Sequence, residues 1–78
     1  MRRLCQSIRV RTDGRGRPLG FTLHGVWHEV ESIVEEWTEA GRWWEGETPR
    51  RFYRVAADGL FDLSLGGSAE WRVELAWD

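Results

Sequence analysis

Turn residues recur about every ten positions along the chain, and the runs between them are short and rich in aromatic and β-branched residues. That spacing predicts antiparallel β structure. Residues 4–10 read as a first strand, with Ile8 and Val10 on the core side. The stretch TDGRGRP follows as a loop closed by Pro18, and residues 19–23 form a second strand. His24 and Gly25 suit a two-residue hairpin turn, because Gly adopts positive φ at little cost. This register sets Leu23 opposite Val26, Phe21 opposite His28 and Leu19 opposite Val30 on one face. Thr22 then pairs with Trp27 on the other.

Residues 30–40 fit two descriptions. Val30, Ile33, Val34 and Trp37 have the i, i+3, i+4, i+7 spacing of a helix, which would leave Glu35, Glu36 and Glu39 solvated and Gly41 as C-cap. A strand with a bulge near Ser32 and Ile33 fits as well.

The next hairpin is better defined. RFYRVAADGLFDLSL turns at Ala57 and Asp58, with Gly59 as a left-handed bulge residue. Val55 then faces Phe61 and Tyr53 faces Leu63 on the inside, while Arg54 faces Asp62 on the outside. After the turn GGSAE, the last run alternates with Trp71, Val73, Leu75 and Trp77 inward and Arg72, Glu74 and Ala76 outward. The fold expected is mainly β. It comprises five or six antiparallel strands in a strongly curved sheet or small open barrel, with a short helix near residues 31–40 as the alternative.

Composition sharpens this picture. With 78 residues, the span 1–78 reads as a single domain with a small core. Cys5 is the sole cysteine, so no internal disulfide can reinforce it, and Cys5 with His24 and His28 makes no zinc-ligand spacing. Six Trp, three Phe and one Tyr are therefore expected to supply the bulk of the interior. No apolar run is long enough for a membrane span, and the basic start lacks the apolar stretch of a signal peptide. With the unpaired cysteine, this points to a cytoplasmic protein.

The net charge of −2 gives no global nucleic-acid signature. Charge is nevertheless segregated. Arg2, Arg3, Arg9, Arg11, Arg15 and Arg17 precede a segment in which Glu29, Glu31, Glu35, Glu36, Glu39, Glu45 and Glu47 are offset only by Arg42. Such asymmetry can steer a partner or pair two edges of the same molecule.

No constellation for catalysis, cofactor or metal is present in the pattern. Cys5 has no base at catalytic spacing. DGRGRPLG lacks the Lys and Ser/Thr of a phosphate loop. What stands out is tryptophan with arginine: Trp27, Trp43 and Trp44 with Arg42, Arg50, Arg51 and Arg54. If Trp43 and Trp44 alternate on a strand, one packs inward and the other lies outside. Trp and Arg are enriched at protein interface hot spots, and the same pairing suits base stacking and phosphate contact on single-stranded nucleic acid.

From Trp37 onward, the order W-x5-WW, the pair Arg50 and Arg51, RV and DG within residues 54–59, LFDLSL, and a terminal W-x-VE-x3-D carries a resemblance. It resembles the C-terminal module of the Y-family-polymerase-like subunit of bacterial mutasomes, and a family of small stand-alone bacterial proteins sharing that module. The resemblance implies extended structure between Trp37 and Trp43, although Thr38 and Glu39 stand where the subunit has a Pro-containing stretch. It also implies a non-catalytic adaptor connected with error-prone DNA repair or replication, since the polymerase carboxylates lie outside the module. The function expected is thus a protein-interaction module that binds a protein partner or a second copy of itself. The alternative is a small β-barrel that binds single-stranded nucleic acid.

Overall fold

A computed structural model describes residues 1–77; Asp78, the last residue of the terminal motif, lies outside the described residues. Seven strands form one antiparallel sheet, more than the five or six expected: β1 Arg2–Thr12, β2 Pro18–Leu23, β3 Val26–Glu29, β4 Ser32–Glu39, β5 Arg50–Ala56, β6 Leu60–Leu65 and β7 Trp71–Trp77. Among the described residues a single 3₁₀ turn spans Trp43–Glu45. The spatial order is β3-β2-β1-β7-β6-β5-β4.

The segment after Val30 is a strand, not a helix. The junction that leads into it explains the shape of the sheet. Val30 donates its N–H to Leu19 on β2, and Glu31 donates to Ala56 at the end of β5. Two consecutive residues thus bond to strands near opposite sides of the sheet, which must curl into a half-barrel to permit it. Phe61 of β6 closes the curl by meeting Phe21 at 5.3 Å and His28 at 5.5 Å. Arg17, next to β2, reaches Glu36 on β4 at 3.2 Å across the seam. This contact joins the basic first segment to the acidic one.

Both predicted hairpin registers are present. Leu23 pairs with Val26, Thr22 with Trp27 and Phe21 with His28. The turn between them has positive φ at both His24 and Gly25, which matches the right-handed twist of the flanking strands. Val55 pairs with Phe61, Arg54 with Asp62 and Tyr53 with Leu63.

The interior is smaller than the aromatic count suggests. Phe21, Tyr53, Val55, Leu63 and Val73 are its centre, and Ile8, Val10, Ile33 and Trp71 pack on it. Each buried aliphatic or aromatic side chain contributes about 1.5–3 kcal/mol. Trp71 is the only tryptophan in this cluster. The expectation that tryptophans fill the core is therefore corrected: most of them lie elsewhere.

Bulges are the reason. Between β6 and β7, Leu63 pairs with Val73 but Asp62 pairs with Leu75, so Glu74 is an extra residue. Alternation resets there. Val73 and Ala76 are buried, while Leu75 and Trp77 turn outward, opposite to the uninterrupted pattern. On β4 the register shifts between Ile33 and Glu35, leaving Val34 as the extra, exposed residue. That bulge lies close to the place expected and sends Trp37 to the outer face opposite Phe52. On β2, Leu19 is skipped between Pro18 and Gly20 and stays exposed. Val26, at the hairpin tip, is also exposed, so the face predicted to bury Leu19 and Val26 does so only at Phe21 and Leu23.

Candidate functional site

Residues 40–49 leave the sheet as a tight loop. Gly41 is required by close approach, since a Cβ there would meet Glu47 Cβ and Thr48 O at 2.8 Å. The 3₁₀ turn Trp43–Glu45 ends at Gly46 in the left-handed conformation, whose N–H bonds Trp43 O. Arg42 O accepts from the N–H groups of both Glu45 and Glu47. Successive side chains on a 3₁₀ turn diverge by about 120°, not the 180° of a strand. Trp43 and Trp44 therefore both point to solvent, 76% and 67% exposed. The expected alternation, one in and one out, does not occur. Their rings brace each other edge-to-face at 5.8 Å and 85°. Arg42 sits beside them, 3.7 Å from Glu45.

The outer face of β4–β7 carries a different arrangement. Trp37 stacks on Phe52 at 5.4 Å and 10°. The Arg54 guanidinium lies 5.3 Å from the Trp37 ring and 4.7 Å from the Trp77 ring. It donates to both carboxylate oxygens of Asp62 at 2.8 and 3.1 Å, and Trp77 Nε1 donates to the same carboxylate at 3.1 Å. Asp62 is buried, so the pair predicted to face outward does so beneath two indoles. The hydrogen bond to Asp62 raises the Arg54 pKa above its ordinary value, assisted by the charges of Asp62 and Glu35 and opposed by desolvation. Arg54 is held as a permanent cation inside its own protein.

Beside it, Arg50 donates to Ser64 Oγ at 3.0 and 3.3 Å and to Glu70 at 3.2 Å. Arg51 points to the opposite face. With Arg15, Thr38 and Tyr53 it lines a shallow groove of about 360 Å³. Trp27 is on the far edge strand, β3. It lies across Gly20, where a Cβ would come within 2.2 Å of the ring, and its Nε1 donates to Glu29 at 2.9 Å.

The seven residues singled out from the sequence thus do not converge. Trp43, Trp44 and Arg42 form an exposed knob. Arg50 and Arg54 are committed to internal partners, Arg51 faces the groove, and Trp27 belongs to another region. Sequence reading missed Trp37, Phe52, Asp62 and Trp77 as one cluster, because two bulges bring them to the same face. The signal available was the alternation of Arg54 and Asp62 across a hairpin; Trp77 could not be added without knowing the β7 register.

Cys5 is exposed in a bulge of β1 at φ 47°, and His24 occupies the hairpin turn. His28 stacks on Phe21 at 5.1 Å. Among the described residues no group of three or more His, Cys, Asp or Glu side chains could hold a metal ion. None of their helices is long and apolar enough to cross a membrane. No family model, curated protein or solved structure matches the chain.

Proposed function

We propose that this protein is a non-catalytic adaptor of the cytoplasm that inserts the Trp43–Trp44 knob into an apolar pocket of a protein partner. The observation that carries this reading is the pair of adjacent indoles, 76% and 67% exposed, on a loop that fixes their orientation. Tryptophan is among the residues most enriched at interface hot spots, and a braced pair loses little conformational freedom on binding. Arg42 at the rim supplies a charge that selects the partner. The resemblance of residues 37–78 to the mutasome module directs the search to error-prone repair and replication proteins.

The test is affinity capture with the immobilised chain and with a Trp43→Ala/Trp44→Ala variant, scored for proteins of that machinery and for the chain itself. The expected result is recovery by the wild type and loss of at least about 30-fold in affinity by the variant, two hot-spot anchors being removed. The variant should melt like the wild type, because neither ring touches the core. Equal capture by both proteins removes the knob as the docking element.

A further inference from the structure

We infer a second binding surface, for single-stranded nucleic acid, on the outer face of β1, β2 and β3. Two cross-strand rows define it: Arg9–Thr22–Trp27 and Arg11–Gly20–Glu29. Val10 packs on the core, so its neighbours Arg9 and Arg11 point outward. Neither arginine has an ion-pair partner among the described residues. Two residues apart on a strand, they stand about 6.6 Å from each other, as a row that can follow a phosphate backbone.

Trp27 provides the flat element. Its indole is laid across the sheet by the missing side chain of Gly20 and pinned by its own N–H to Glu29 at 2.9 Å. Trp27 is 45% exposed, and its indole lies against the backbone at Gly20. With Arg11, Leu19, Glu29 and Val30 it lines a recess of about 360 Å³. A second recess, lined by Ser7, Ile8, Arg9 and Thr22, adjoins along β1.

The chemistry of the occupant follows from what is uncommitted. The one acid in the patch, Glu29, is engaged by the indole, whereas both guanidiniums are free. A ligand that satisfies them must present negative charge and a planar π face together. A nucleotide does so, and it can offer its base only where the strand is unpaired. The overall charge of −2 does not oppose this, because the acids from Glu35 to Glu47 lie on β4 and the loop beyond it, while Arg9 and Arg11 of the basic segment stand on this face.

Fluorescence anisotropy of labelled oligothymidylate and oligouridylate, at about 50 mM and about 200 mM salt, tests the inference. Binding is expected at low salt, weakening with a log–log slope of about −1.4 for two phosphate contacts. Trp27→Leu should weaken binding about 5- to 150-fold, the loss of one base stack, and Trp27→Phe should restore most of it. Arg9→Gln/Arg11→Gln should flatten the salt slope to near zero. Gly20→Ala keeps the indole but displaces it from the sheet, and should also weaken binding; it serves if Trp27→Leu does not fold. Absence of binding at low salt overturns the inference. So does wild-type affinity in both Trp27→Leu and Gly20→Ala, or a duplex that binds as tightly as the single strand. None of these readouts involves Trp43 or Trp44, so this surface and the knob can fail separately.

Discussion

The two edge strands of the sheet carry the same local device and use it differently. On β3, Trp27 donates its indole N–H to Glu29 at 2.9 Å; on β4, Trp37 donates to Glu39 at 3.0 Å. In each, a strand places residues i and i+2 on one face, and the carboxylate clamps the ring along the strand. The neighbouring strand then decides the outcome. Beside β4, β5 offers Phe52 and Arg54, and the Trp37 ring is absorbed into a packed layer. Beside β3, β2 offers Gly20, and the Trp27 ring lies against its backbone, partly exposed. An identical W-x-E spacing thus yields a structural element at one edge and a platform at the other. Exposure of an aromatic is set by the side chains of the neighbouring strand that it lies across, not by its own strand.

The comparison breaks first at Asp62. Asp62→Ala removes the counter-ion of a partly buried guanidinium and the acceptor for Trp77, and should cost about 3 kcal/mol, read as a fall in the urea midpoint at unchanged slope. A loss below about 1 kcal/mol would mean that the two indoles alone hold Arg54. Next come the two tryptophans. Trp37→Ala should destabilise by about 2 kcal/mol, below the range for a fully buried aromatic because the ring is half-buried, which lowers Tm by roughly 8–16 °C. Trp27→Ala should cost less than about 1 kcal/mol. Equal losses would erase the distinction between layer and platform.

The smallest effect concerns the loop before β2, which links the two edges through Arg17 and Glu36. Asp13 accepts the N–H groups of Arg15 and Arg17 at 2.8 and 2.9 Å. These backbone bonds lower its pKa from 3.8, assisted by the charges of Arg17 and Arg15 and opposed by desolvation. A carboxyl whose folded pKa is depressed adds stability that is present above its unfolded pKa and is lost as pH falls through the folded one. An NMR titration should therefore place the Asp13 midpoint below 3.8. In Asp13→Asn, melting should depend less on pH across that acid range. A midpoint at or above 3.8 would show that the loop is not held by this carboxylate.

Much of the fold was legible in the residues. The hairpins at His24–Gly25 and Ala57–Gly59 were readable with their registers, because turn chemistry pins pairing and a slip of one residue would invert the faces. The bulge on β4 was readable as one of two options. The faces of Leu75 and Trp77 were not, since the extra residue at Glu74 has no local signature: Val-Glu-Leu continues an unbroken alternation. Nor was the turn at Trp43 and Trp44, where the chain leaves the sheet. Gly41 and Gly46 bracket it, but only the approach of Glu47 and Thr48 shows why glycine is needed at Gly41.

By itself, the order of residues determined an antiparallel β chain and the pairing of its hairpins. Periodicity and turn preference act over a few residues, so these were accessible without coordinates. Which tryptophans brace an arginine, which lies open across a glycine and which stand in solvent was decided by the curl of the sheet and its bulges. Those depend on the neighbour across the ladder, and a neighbour distant in sequence leaves no mark on local pattern.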